Sequence, residues 1–101
     1  MKLVLEFDCD ADIIEVPQNV IDNKNLLKKR FLKWIFNKQV KHKYWVTTQD
    51  HTGKTFRGVR YRGDAFVEWL NKKVLSEEPV KASIVEEYAL EYSDSLPKIQ
   101  F

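Results

Sequence analysis

Residues 43–61 read KYWVTTQDHTGKTFRGVRY. The first seven, Lys43 to Gln49, are rich in β-branched and aromatic side chains, which suit the pleated backbone of a strand. Asp50-His51-Thr52-Gly53 follows as a turn, in which Gly53 supplies the positive φ of a tight reversal. Lys54 to Tyr61 is then the return strand. A hairpin at the middle of the chain, with helical periodicity on either side of it, makes the fold α+β.

Upstream, Leu27, Phe31, Trp34 and Ile35 recur at i, i+4, i+7 and i+8, the spacing of one helical face, which Leu32 and Phe36 widen. Lys29, Arg30, Lys33 and Asn37 fall on the opposite side. The spacing predicts a helix over about 21–37, with Asn19 or Asp22 as N-cap. Downstream, Asp64 is placed to cap a second helix over about 65–75, with Phe66, Trp69, Leu70 and Val74 on one face. Ser76-Glu77-Glu78-Pro79 ends it.

The outer segments read as strands. Leu3, Leu5 and Phe7 alternate with Lys2, Val4, Glu6 and Asp8, the period of a strand with one buried face. Ile13-Ile14-Glu15-Val16 is either the return arm of a hairpin or an extended lead into the first helix, and Pro17 ends it. Residues 82–92 fit strand or helix. Ile84, Glu86, Tyr88, Leu90 and Tyr92 alternate with their neighbours, while Ser83 and Glu86 match a capping box and Ile84, Val85, Tyr88 and Tyr92 share a helical face. Strand is adopted here, and Pro97 to Phe101 supplies a short terminal strand. The expectation is one α+β domain over residues 1–101: an antiparallel sheet of four or five strands with two helices on one face. Its strand-helix-strand-strand-helix-strand order is that of the ferredoxin-like split βαβ unit.

Hydrophobic residues at 44%, with thirteen aromatics, suffice for a core, and three Gly and three Pro argue against disorder. Cys9 is the only cysteine, so no intrachain disulfide forms. With no apolar run long enough for a signal or a membrane span, the chain reads as cytoplasmic.

The charge is sorted by position. Residues 1–23 carry one Lys against six acids, a net of −5. Residues 24–76 carry fourteen Lys or Arg against Asp50, Asp64 and Glu68, a net of +11. Residues 77–101 carry six acids against Lys81 and Lys98, a net of −4. The total of +2 therefore hides a basic middle that attracts polyanions, unless the acidic ends fold over it.

If Gln49 pairs with Lys54, one hairpin face receives Tyr44, Val46, Val59 and Tyr61, together with Arg57. The other receives Lys43, Trp45, Lys54, Phe56 and Arg60, with Gly58 opposite Trp45. Aromatics interleaved with cations compose a nucleic-acid platform, on which rings stack with bases and cations meet phosphates. The plainer meaning of the same pattern is a core face with cations snorkelling around it. Lys29, Arg30 and Lys33 on the first helix would support phosphate contacts, although a charged run is commonly just a solvated face.

Other constellations carry less. Asp8, Asp10 and Asp12 have the spacing that opens a calcium loop, but Ile13 and Asn19 stand where its Gly and Glu belong, so no metal is expected. One Cys and two scattered His make neither a zinc set nor a nucleophile. Arg62-Gly63-Asp64 is read as a turn and cap. With no phosphate loop, nucleophile elbow or paired carboxylates, no cofactor and no catalysis are expected.

The sequence therefore predicts a small non-enzymatic binding protein whose partner is nucleic acid, held by Lys29, Arg30, Lys33, Lys43, Trp45, Lys54, Phe56, Arg57 and Arg60. The rival expectation is a protein-binding module of accessory or inhibitor type, docking through Glu87, Tyr88, Glu91 and Tyr92 in the acidic tail. A homodimer joining acidic to basic segments is the third.

Overall fold

The computed structural model describes all residues, Met1–Phe101. Strand β1 (Lys2–Glu6) turns back through Phe7–Asp10 into β2 (Ala11–Glu15), with Lys2 opposite Glu15 and Glu6 opposite Ala11. Residues 13–16 are thus the return arm of a hairpin. Pro17 then precedes α1 (Gln18–Asp22), and α2 (Lys24–Ile35) follows after a break at Asn23. The ribbon β3 (Trp45–Gln49) and β4 (Thr55–Val59) leads to α3 (Gly63–Trp69), which runs into a π-helical turn over Leu70–Val74. Last come β5 (Ser83–Ala89) and β6 (Lys98–Gln100), so residues 82–92 contribute a strand.

The α+β class holds, with two corrections to the arrangement. The main sheet has the order β5-β2-β1-β6, and β6 runs parallel to β1, so the sheet is mixed rather than antiparallel. The central hairpin pairs only with itself and forms a second, two-stranded sheet, which departs from the split βαβ unit. The helix bounds also shift. Asn23 divides the first predicted helix in two, and its Nδ2 donates to the Asn19 carbonyl. Neither Asn19 nor Asp22 caps, because Pro17 occupies the N-cap position of α1.

One face of the main sheet, through Leu3, Leu5, Ile14 and Val16, meets the helices in a core centred on Phe31. The fully buried Phe31 ring lies 5.2–5.9 Å from those of Phe66, Tyr61, Trp69 and Phe101, all edge-on, the geometry that aromatic quadrupoles favour. Burying such a ring contributes about 1.5–3 kcal/mol. Sequence alternation leaves the opposite face to solvent, yet Val4, Ala11, Ile13 and Ala89 are buried there under Tyr92 and Leu96. The connection from β5 to β6 crosses that face and covers it. No helix is long and apolar enough to cross a membrane.

Candidate nucleic-acid interface

The ribbon's register begins at its turn. Asp50 N–H donates to the Lys54 carbonyl at 3.0 Å, and Asp50 Oδ1 accepts from the amides of Thr52 at 2.9 Å and Lys54 at 3.0 Å. The reversal is therefore the three-residue loop His51-Thr52-Gly53, closed by Gly53 at φ 84°. The Thr52 hydroxyl also donates to Asp50 Oδ1, and it leads these two amides in holding the Asp50 carboxyl below its ordinary pKa. Asp50, not Gln49, stands opposite Lys54, and the ladder continues through Gln49–Thr55, Thr47–Arg57 and Trp45–Val59.

A one-residue slip moves every side chain of one strand to the other face relative to its partner. Trp45 and Phe56 therefore lie on opposite faces, and the platform they were expected to share does not form. Trp45, Thr47 and Gln49 share a face with Thr55, Arg57 and Val59. Alternation along β4 places Lys54, Phe56, Gly58 and Arg60 on the other face, where Phe56 stands opposite only Thr48 and Gly58 opposite Val46. Phe56 is 52% exposed.

Trp45 is tied into the protein instead. Its Nε1–H donates to the Val40 carbonyl at 2.8 Å, and its ring lies 5.1 Å from that of His42, parallel to within 3°. The Arg57 guanidinium carbon sits 4.7 Å from the indole centre, and on the far side of His42 the Trp34 ring is 4.8 Å away. His42 Nε2–H donates to the Ile35 carbonyl and Nδ1 accepts from the Tyr44 amide, so a neutral imidazole satisfies both nitrogens. Trp34, His42, Trp45 and Arg57 form one line of contacts from α2 into the ribbon.

The acidic ends leave most of the basic middle open. Of the fourteen cations in residues 24–76, only Lys43, Arg62 and Lys72 lie within 4.0 Å of a carboxylate, which leaves eleven unpaired. Lys29, Arg30, Lys33, Lys54, Arg57 and Arg60 are all exposed and among the eleven. The first three stay on the outer face of α2, and no hydrogen bond or ion pair joins them to the ribbon. Lys43 is 3.0 Å from Glu68, which also accepts from Lys72 and the Tyr44 hydroxyl. Hydrogen bonds from Lys72, Tyr44 and Lys43 lower the Glu68 carboxyl to about 2. Burial, then the hydrogen bond to Glu68, pushes the Tyr44 hydroxyl well up.

Sequence reasoning missed Arg62. Its guanidinium reaches Asp10 at 2.7 Å and the buried Asp12 at 2.8 Å, and lies over the rings of Tyr88 (4.2 Å) and Phe7 (4.6 Å). Asp12 also accepts from the amides of Gly63 at 2.8 Å and Tyr88 at 3.1 Å. Burial pushes the Asp12 carboxyl up, but Arg62 and these two amides outweigh it, and the carboxyl titrates below its ordinary range. Asp12 thus meets the first amide of α3, while Asp64 sits inside the first turn rather than capping it. The legible signal was Asp12, set between Ala11 and Ile13 near the start of β2, with Asp10 just before the strand.

The residues of the rival acidic surface separate. Tyr92 donates its hydroxyl to Glu6 and helps to cover the second apolar layer, and Tyr88 lies against Arg62 with a left-handed φ of 57°. Glu87 and Glu91 are exposed. No protein-family model, curated protein or solved structure matches this chain.

Proposed function

We propose that this chain is a non-enzymatic nucleic-acid-binding protein that grips its polymer with the β3–β4 ribbon, supported by the outer face of α2. The observation that carries this reading is the ribbon face on which Lys54, exposed Phe56 and Arg60 alternate, with Gly58 leaving the surface beside Phe56 low. An aromatic ring between two unpaired cations offers a base its stacking face and the flanking phosphates their counter-charges. The opposite ribbon face adds Arg57, already oriented on Trp45. Lys29, Arg30 and Lys33 contribute phosphate attraction that reads no sequence.

Titration of single-stranded RNA and DNA into the folded protein, at low and moderate salt, tests the reading. Affinity is expected to fall steeply with salt, and K54E/R60E is expected to abolish it while leaving the far-ultraviolet circular dichroism unchanged. A folded protein that binds neither polymer at low salt overturns the reading.

A further inference from the structure

At the root of the ribbon, a cleft of about 410 Å³ opens between the α2–β3 connection and the helical segment Glu68–Lys73. Its volume falls in the range of small-ligand sites. Lys41 and Lys43 enter it from the connection, and Lys72 and Lys73 from the π turn. That turn is closed by the Leu75 amide donating to the Leu70 carbonyl at 2.7 Å, an i+5 bond. A π turn advances fewer degrees per residue than an α turn, so the successive side chains of Lys72 and Lys73 spread less around the axis. Such turns are uncommon and concentrate at functional sites.

Four lysines face one carboxylate here. Glu68 holds Lys43 and Lys72, while Lys41 and Lys73 have no hydrogen-bond or ion-pair partner of their own. The surplus positive charge suits a phosphomonoester, which carries about −1.5 to −2 near neutral pH, better than the single charge of a diester. A bare phosphate would leave most of the cleft to water. The remaining lining supplies an aromatic edge through half-buried Trp34 and through His42.

We propose that this cleft binds a nucleotide through a terminal phosphomonoester. Lys41 and Lys73 are its unpaired anchors, Lys43 and Lys72 are held in place by Glu68, and the base lies beside Trp34. The same chemistry is offered by a free nucleoside 5′-phosphate and by the phosphorylated 5′ end of a strand. The site does not use the Phe56 face of the ribbon, so it stands or falls separately from the reading above.

Calorimetry on the full chain tests it with two matched pairs: adenosine 5′-monophosphate against adenosine, and a 5′-phosphorylated single-stranded oligonucleotide against its 5′-hydroxyl twin. The expected result is at least a tenfold preference for the phosphorylated member. That preference should weaken as the pH falls below about 6, where the dianion takes up a proton. K41E/K73E, which breaks no internal ion pair, should erase the preference with the melting temperature unchanged, while K54E/R60E should retain it. A preference in the mononucleotide pair identifies a free nucleotide as ligand, and one confined to the oligonucleotides identifies a strand end. Equal binding within both pairs, or a preference that survives K41E/K73E, overturns the proposal. Oligonucleotide binding that is indifferent to the 5′ phosphate but lost in K54E/R60E overturns it while leaving the ribbon reading intact.

Discussion

The Arg57 guanidinium lies 4.7 Å from the centre of the Trp45 ring, one diagonal step across the β3–β4 ladder. Diagonal neighbours on one ribbon face are within reach of long side chains, and a cation over an aromatic ring near the surface is worth about 0.5–1 kcal/mol. Arg57 therefore has two separable roles, as a planar cap on the ring and as a charge. Arg57→Ala should lower the melting temperature slightly and reduce the salt dependence of nucleic-acid binding by about one phosphate contact. Arg57→Lys should keep the salt slope but lose the planar stacking that an ammonium does not reproduce. Melting curves and affinities at four salt concentrations for both variants separate these effects. An unchanged slope in Arg57→Ala removes Arg57 from the interface.

Phe56 and Trp45 divide along the same lines. Phe56 is exposed on a face with no large neighbour, so Phe56→Ala should leave stability almost unchanged. Losing one stacked base contact of about 1–3 kcal/mol should weaken single-strand binding by roughly 5- to 150-fold. Trp45→Ala should do the reverse: it removes the hydrogen bond to Val40 and the contact with His42, and so should destabilise the ribbon's root. Denaturant midpoints measured beside affinities decide between them. Lost binding with intact stability in Trp45→Ala would return the stacking role to the indole.

The local elements were legible because their causes are local. The alternation of Leu3 and Leu5, the 3.6-residue spacing of Leu27, Phe31 and Ile35, and the turn around Gly53 each declare themselves within a few residues. Register was not, because Gln49–Lys54 and Asp50–Lys54 closures differ by one residue. What separates them is whether the Asp50 side chain binds the Thr52 and Lys54 amides. That single difference moved Phe56 away from Trp45. Burial of the second sheet face was also hidden, because its cover, Tyr92 and Leu96, lies at the far end of the chain from Val4. Arg62 was concealed for the same reason, being 50 residues from Asp12.

The Asp12–Arg62 pair should be the most sensitive polar contact in the fold. Removing one member of a buried ion pair typically costs about 3–5 kcal/mol, and Asp12→Ala should fall below that range because Arg62 keeps Asp10 and is partly exposed. Asp12→Ala also strips a hydrogen-bond partner from the amides of Gly63 and Tyr88. Gly63→Ala should injure the same place sterically, since an added Cβ would lie 2.8 Å from both Asp12 Cβ and Asp12 Oδ2. Both variants should shift the urea midpoint markedly downward. The exposed Asp22→Ala, which removes only a surface contact with Gln18, should not. Wild-type midpoints for Asp12→Ala and Gly63→Ala would refute this view of the pair.

Glu68 makes stability depend on acid in a defined window. Lys72, Tyr44 and Lys43 hold its carboxyl at about 2 in the folded protein, against an ordinary value of 4.5. Between those values the unfolded chain binds the proton and the native protein does not, so stability rises with pH there and is lost as pH falls. The contribution is complete above the unfolded value and gone below about 2. Asp12, lowered by Arg62 and two amides against its burial, acts in the same direction. Glu68→Gln should therefore be less stable than the parent at neutral pH, have a shallower acid limb, and converge on the parent near pH 2. Denaturant unfolding at several pH values from neutrality downward reads this directly. A constant offset between the two proteins across that range would show that Glu68 stabilises the fold by packing rather than by its charge.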